Sequence, residues 1–403
     1  MKFATLTETE TAGQTVLLRV DFNSPIDPAS NTILDDKRFR EHAPTVQALG
    51  DAKCVVITHQ SRPQKKDFTT LEAHAARLER LIGRPVTYLD DIFGRCAREA
   101  VAEMDIGDVL MLENVRFNAE ENLKMSGADA LGTHLVRNLA QMGDIYVNDA
   151  FGTAHRSQPT IVGLPLAMPA VAGLLMEKEI ATLSRVLSGA PGPVTFVLGG
   201  TKVDDSLDVA ANVLSGGIAD RVIAVGVVAN VFYKAQGLNI GAPSEDLLRK
   251  LGYLSEVEKA GDILAKFGDQ VILPETVAVR DGEFRDECPV TAIPDLPVLD
   301  CGLDSIGQLT DVIRKSGTVV LNGPAGVFED SLFATGTNEI LRAASAAEFS
   351  VVGGGHTAAV IESMGIDKKF SHISTGGGAC IQFLTGRTLP AVEALAASKA
   401  RFW

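Results

Sequence analysis

Short apolar runs alternate with helical stretches along most of this chain. TVLLRVD (15–21), KCVVITH (53–59), RPVTYLD (84–90), DVLMLEN (108–114) and DIYVND (144–149) are continuous apolar segments ending in polar residues. Between them lie stretches such as LEAHAARLERLIG (71–83) and GADALGTHLVRNLAQMG (127–143), where apolar positions recur every three to four residues. Continuous runs are what a strand needs when helices cover both faces of its sheet, and the alternation demands parallel strands with helical crossovers. A second series starts at Pro193 with PVTFVLGG, DRVIAVGV, QVILP, GTVVLNG, FSVVGGG and FSHISTGGG. Between the series, Met176 to Leu187 reads as one helix, stopped by Ser188-Gly189 and the prolines at 191 and 193. The expected fold is therefore α/β: two Rossmann-like, doubly wound parallel-sheet domains joined by a hinge helix. The expected boundaries are 1–170, a connector at 171–190, a second domain at 191–385 and a C-terminal segment at 386–403.

Ligands of open parallel sheets bind beyond the carboxyl ends of the strands, and the polar clusters fall there. Asp21 and Asn23 follow the first run, His59 and Arg62 the second, Arg116 the fourth, and His155 and Arg156 the fifth, while Arg38 opens the first helix. Arginine's planar fork holds a carboxylate or phosphate with two hydrogen bonds, so several arginines at successive strand ends predict a site for a small, highly charged anion. His42, His74 and His134 fall on helices and read as surface or core residues.

The second half carries different chemistry. The first 190 residues hold 13 of the 21 arginines, and the rest of the chain holds 26 of the 38 glycines. Gly199-Gly200, Gly353-Gly354-Gly355 and Gly376-Gly377-Gly378 each stand between an apolar run and a helix. Such junctions let backbone approach an anion and aim N–H groups at it. Lys202 directly follows the first and could place a positive charge on a transferring phosphoryl group. GxxxxGK[ST] is absent, which excludes a P-loop. Gly353-x-Gly355-x-x-Ala358 matches a loose dinucleotide pattern, but the next run ends in Ser-Thr rather than the acid that reads a ribose 2′-hydroxyl.

The net charge of −14 argues against a nucleic-acid partner. Five cysteines, none at CxxC spacing, fit a reducing cytoplasm. The polar start has no signal-peptide core, and no apolar run is long enough to span a membrane. HExxH and metal-spaced His/Cys clusters are missing, which leaves no dedicated transition-metal site to expect.

Taken in order, RVDFNSP, ITHQSRP, MLENVRFN, NDAFGTAHRS, LGGTKVDDS, NGPAGVFE, GGGHTAA and STGGGA resemble the phosphoglycerate kinase family over nearly the whole chain. The resemblance implies 1,3-bisphosphoglycerate + ADP ⇌ 3-phosphoglycerate + ATP, by in-line transfer across a closing interdomain cleft in a monomer. It implies a phosphoglycerate patch of Asp21, Phe22, Asn23, Arg38, His59, Gln60, Ser61, Arg62, Arg116 and Arg156. It implies nucleotide contacts from Gly199, Gly200, Lys202, Asn322, Glu329, Gly353, Gly354, Gly355, His356 and Thr357. Arg38, Lys202, Gly354 and Gly377 would act on the transferring group. Two positions depart from the commoner family pattern: His356 stands for an Asp near the nucleotide's magnesium, and Ser206 for a Lys near its phosphates. His356 and VGVVANVF resemble the archaeal branch. Mg²⁺ prefers oxygen ligands, so it is expected to arrive with ADP or ATP, with Asp205 as the candidate protein contact.

Overall fold

The computed structural model describes residues 2–403. It divides into two compact units, Met1–Ala181 with Thr388–Trp403, and Thr182–Arg387.

The first unit is built on six parallel strands: β1 (Thr15–Arg19), β2 (Lys53–Ile57), β3 (Thr87–Leu89), β4 (Val109–Leu112), β5 (Ile145–Asn148) and β6 (Ala170–Ala172), in the order β3-β4-β2-β1-β5-β6. Leu17 of β1 faces Val55 of β2 and Tyr146 of β5 in register. Helices α1 (Lys37–Ala48) and α2 (Glu72–Ile82) cross over from β1 to β2 and from β2 to β3. Val16, Leu17, Leu18, Val55, Val56, Met111 and Val147 are almost wholly buried, which is why the strand interiors are apolar at consecutive rather than alternate positions. The β1–β5 boundary is where the winding direction reverses, and there the adjacent strand ends open a crevice.

Helix α3 (Leu174–Gly189) extends the expected Met176-to-Leu187 stretch by two residues at each end, and the division between units falls inside it. Its first N–H groups are held by a distant side chain: Asp149 Oδ1 accepts from Leu175 N (2.8 Å) and Met176 N (3.3 Å). A carboxylate there satisfies otherwise orphaned donors and complements the helix dipole.

The second unit repeats the design with β7 (Val194–Leu198), β8 (Arg221–Ala224), β9 (Val271–Ile272), and three strands outside the main sheet: β10 (Thr276–Asp281), β11 (Phe284–Pro289) and β12 (Val298–Cys301). Then come β13 (Thr318–Asn322), β14 (Phe349–Gly353) and β15 (His372–Ile373). The parallel order is β9-β8-β7-β13-β14-β15, with its winding reversal between β7 and β13. Helices α4 (Val203–Ser215), α5 (Gly226–Ala235), α6 (Gly355–Ser363) and α7 (Gly378–Leu384) follow strands β7, β8, β14 and β15.

Helix α8 (Pro390–Phe402) closes the chain and packs back on the first unit. Ala391 N donates to Ala154 O (3.1 Å), and Arg401 Nη1 to Leu166 O (2.8 Å).

Two local features lie outside what the sequence pattern predicts. The 127–143 stretch is not one helix but two, Gly127–Leu131 and His134–Leu139, because Thr133 caps the second by accepting from Val136 N (3.2 Å). The antiparallel sheet β11-β10-β12 was not anticipated. Its signal was Gly282-Glu283: Gly282 takes φ 56° at the first position of a two-residue hairpin turn, with Asp281 paired to Phe284.

Candidate active site

In the first unit the predicted residues converge at the carboxyl ends of β1, β2, β4 and β5. Asp21, almost buried, pairs with Arg38 Nη1 from the first turn of α1. Its own N–H donates to His42 Nε2 (3.1 Å), and His42 Nδ1 meets Asp149 Oδ2 (2.7 Å). Burial opposes ionisation of Asp21. Arg38 outweighs it and, with Arg19, holds the carboxyl far below the usual range. Gly152 is needed here, since a Cβ would lie 2.3 Å from Asp21 Oδ2.

The loop after β2 is tied to the same place. Asn23 Oδ1 accepts from Ser61 N (2.7 Å), Ser61 sits at φ 55°, and its hydroxyl donates to Asp67 Oδ1 (2.7 Å). Arg116, nearly buried, donates to Ser61 O. Burial, reinforced by Arg156 and Arg19, pushes its guanidinium down to about 10. Arg156 is lowered too, by burial first, with Arg19, Arg38 and Arg62 adding to it against Asp21. Arg62 is exposed. Several cations held this close, with little counter-charge, form a site that waits for an anion.

His59 is wholly buried. Its Nδ1 lies 3.1 Å from Arg19 Nη2, and its Nε2 has no hydrogen-bond partner. Burial, then Arg19, hold it well below the ordinary histidine range, so it is neutral.

Two of the expected residues turn their side chains into the protein. The Phe22 ring is fully buried and stacks on Phe39, with centroids 4.2 Å apart, so it is core. Its backbone N–H is taken by Thr58 Oγ1 (3.1 Å). Gln60 is also fully buried: Nε2 donates to Ser24 O (3.0 Å), while Oε1 meets Ser24 N (3.2 Å) and His74 Nε2 (3.1 Å). Gln60 clamps two loops together rather than presenting its amide. Sequence reading left His42 and His74 open between surface and core, and both are buried.

In the second unit the glycine junctions enclose a cavity of about 250 Å³. Gly199, Gly200, Lys202, Asn322, Gly354, Gly355, His356, Thr357 and Gly377 all line it. The β7 and β13 loops press backbone to backbone: Gly199 N donates to Asn322 O and Gly200 N to Pro324 O, both at 2.8 Å. Gly354 (φ 91°) and Gly377 (φ 43°) each immediately precede a helix, so two helix N-termini open at this cavity. Lys202 is exposed at its edge, and the buried Thr357 Oγ1 lacks a partner. A second, mostly apolar cavity of about 230 Å³ adjoins it, sharing Gly200, Thr201, Pro324 and His356. Glu329 lines that cavity, as do Asn230, Tyr233, Leu247, Val298 and Phe328, which sequence reading did not name. Their signal was the apolar helix VGVVANVFY, whose Gly226 takes φ 58° against the backbone of Pro324 and Ala325.

A family model described as phosphoglycerate kinase matches residues 6–387. The chain belongs to the phosphoglycerate kinase family. A phosphoglycerate kinase of Methanocorpusculum labreanum is 63% identical over 403 residues, covering all of both chains. The solved phosphoglycerate kinase of Pyrococcus horikoshii aligns with TM-score 0.92 and 40% identity, over 99% of this chain and 100% of that one. That of Coxiella burnetii gives TM-score 0.82 at 29% identity, over 98% and 100%. The archaeal relatives agree with the branch read from His356. The chain is thus a phosphotransferase with phosphoglycerate kinase activity, and it uses nucleotide. Among the described residues, no helix is long and apolar enough to cross a membrane.

For this phosphoglycerate kinase, the fit to magnesium is poor on the protein side. Among the described residues, no three His, Cys, Asp or Glu stand together as a metal site. Asp205, on the first turn of α4, is raised by burial and by Asp204, and it lines neither cavity. Ser206 is fully buried with its hydroxyl unpartnered.

Proposed function

We propose that the first unit binds 3-phosphoglycerate or 1,3-bisphosphoglycerate and the second binds ADP or ATP, the nucleotide entering as its Mg²⁺ complex. The observation that carries this reading is Lys202 at the edge of a cavity walled by three strand–glycine–helix junctions. Phosphates lie there on backbone N–H groups at helix N-termini. The ribose and base occupy the adjoining apolar cavity, with Glu329 toward the ribose. Asn23, Arg38, His59, Arg62, Arg116 and Arg156 grip the three-carbon anion, and Ser61 holds their loop. Asp21 keeps Arg38 in place, and the rest of the Arg38 fork stays available to ligand.

In the direction of ATP use, a carboxylate oxygen of 3-phosphoglycerate attacks the γ-phosphorus. The bond from that phosphorus to the β,γ-bridging oxygen breaks, and ADP leaves. No covalent enzyme intermediate is needed, so the protein's tasks are alignment and cancellation of charge on the equatorial oxygens. Arg38 and Lys202 supply positive charge, and the amides around Gly354 and Gly377 supply oriented dipoles. The ligands must be brought into line with water excluded, and α3 is the hinge we assign to that motion. Asp205 serves the magnesium only through the nucleotide complex.

The test is ATP-dependent phosphorylation of 3-phosphoglycerate, coupled to NADH oxidation by a dehydrogenase that consumes the acyl phosphate. Wild type is expected to turn over, and Lys202→Ala to lose roughly 10³-fold in kcat, the scale of a cation acting on a transferring phosphoryl group. Full turnover in Lys202→Ala would remove the transfer role assigned here.

A further inference from the structure

His59 leans on a buried residue whose guanidinium is taken up inside the protein. Arg19 ends β1, 2% exposed, and its guanidinium is spread among four acceptors. Nε donates to Thr160 Oγ1 (3.1 Å), Nη1 to Val20 O (2.5 Å) and more weakly to Ile57 O (3.4 Å), and Nη2 lies 3.1 Å from His59 Nδ1. Glu121, buried, balances the charge at 3.8 Å and itself accepts from both the N–H (3.0 Å) and the hydroxyl (2.6 Å) of Thr160.

Arginine has donors only and does not lose its proton in proteins. His59 Nδ1 must therefore be the acceptor, and the ring hydrogen must sit on Nε2. That Nε2–H is buried and has no hydrogen-bond partner. An unpaired buried donor is costly to the fold, and such groups persist where a ligand completes them. The charged groups acting on His59 are Arg19, Asp21, Arg116 and Arg156, three of them the cations of the anion site or its support.

We propose that Arg19 is a positioning residue that locks His59 as the neutral Nε2–H tautomer, so that His59 offers an uncharged, fixed donor to the carboxylate or phosphate of the three-carbon ligand. The proposal rests on reading the first unit as the phosphoglycerate site. Its consequence is that His59 contributes no pH dependence to binding across the range where histidines ordinarily titrate. A protonated His59 would add one more buried cation to an already crowded cluster, and an Nδ1–H tautomer would set donor against donor.

The test uses the full chain with ¹⁵N-labelled histidine, the His59 signal being assigned by its loss in His59→Gln. Long-range ¹H–¹⁵N correlations are expected to show Nε2–H, unchanged from about pH 5.5 to 8. An Nδ1–H pattern, or titration within that window, overturns the proposal without any ligand present. Arg19→Lys keeps the charge but cannot reach all its acceptors. It is expected to admit the Nδ1–H form and to raise KM for 3-phosphoglycerate about 10-fold or more, with kcat and KM for ATP changed less than about 3-fold. In the His59→Gln background, where the amide can donate without help, Arg19→Lys is expected to add less than about 2-fold. Equal effects in both backgrounds would make Arg19 merely structural and sink the idea. Failure of the wild type to bind 3-phosphoglycerate would instead refute the anion-site reading, leaving the tautomer result to stand alone.

Discussion

The anion site of the first unit is made of side chains, and the cavity of the second is made of backbone. Arg38 is paired with Asp21, Arg116 is tied to Ser61 O, and His59 leans on Arg19, which Glu121 balances. Gly199, Gly323, Gly354 and Gly377 instead leave room where a Cβ would strike backbone or would need a left-handed conformation. A ligand with a carboxylate and a phosphate at different ends is well served by discrete forks aimed from several strands. A polyphosphate chain is served by closely spaced N–H groups and helix ends, which need no side chain. The first solution is sensitive to charge, salt and pH. The second is sensitive to a single methyl group.

Gly323→Ala should separate them most sharply. Its Cβ would lie 2.3 Å from Gly199 O, and its φ of 84° is strained for any other residue. The second unit is expected to lose at least about 2 kcal/mol, together with its ADP-induced stabilisation. Denaturant unfolding with and without ADP reads both effects. Gly307→Ala, with nothing within 4 Å and an exposed position inside the helix Leu303–Arg314, is the control and should gain about 0.5–1 kcal/mol. If both substitutions behave alike, the backbone account of the cavity fails.

Arg116→Gln should act on one ligand only. We expect KM for 3-phosphoglycerate to rise roughly 10- to 100-fold while KM for ATP stays within about 2-fold. Burial and the neighbouring Arg156 and Arg19 disfavour this cation in the ligand-free fold, so its removal should leave the stability of the first unit unchanged or slightly higher. A large loss of stability would mean that the Ser61 tether, not anion binding, explains Arg116.

The smallest effect concerns His74, which burial lowers to about 4. Its folded-state value lies below its unfolded one, so acid protonates the unfolded chain first. Stability from this group is complete above about pH 6.5 and falls as pH drops toward 4. Between pH 7 and 5 the first unit should lose about 2 kcal/mol on this account. His74→Gln should flatten that slope in urea melts at the two pH values. An unchanged slope would place the acid sensitivity elsewhere.

How far these differences were legible depended on the kind of group. The arginines at strand ends announced their location, because a residue just past a buried strand must lie at the sheet's carboxyl edge. What each side chain does there was not legible. Phe22 and Gln60 stand beside Asp21 and His59 in sequence, but one packs on Phe39 and the other braces Ser24 and His74. Arg19, a single residue inside an apolar run, gave no hint that it holds His59 rather than facing water. The apolar cavity around Asn230 and Tyr233 is assembled from seven separated segments, and periodicity cannot report such an assembly.

The sequence by itself determined two doubly wound parallel sheets, the helix joining them, the family, and where its anion-binding chemistry must gather. Those properties follow from local rules: apolar run length, glycine between strand and helix, and strand order acting through the carboxyl edge. Only the tertiary structure decided which polar side chains are spent inside the protein and which remain for ligand. It also decided that His59 is neutral, that Asp149 ties α3 to His42, and that Asp205 stands apart from any metal cluster. Hydrogen-bond partnership and desolvation are set by groups distant in the chain, and no local pattern encodes them.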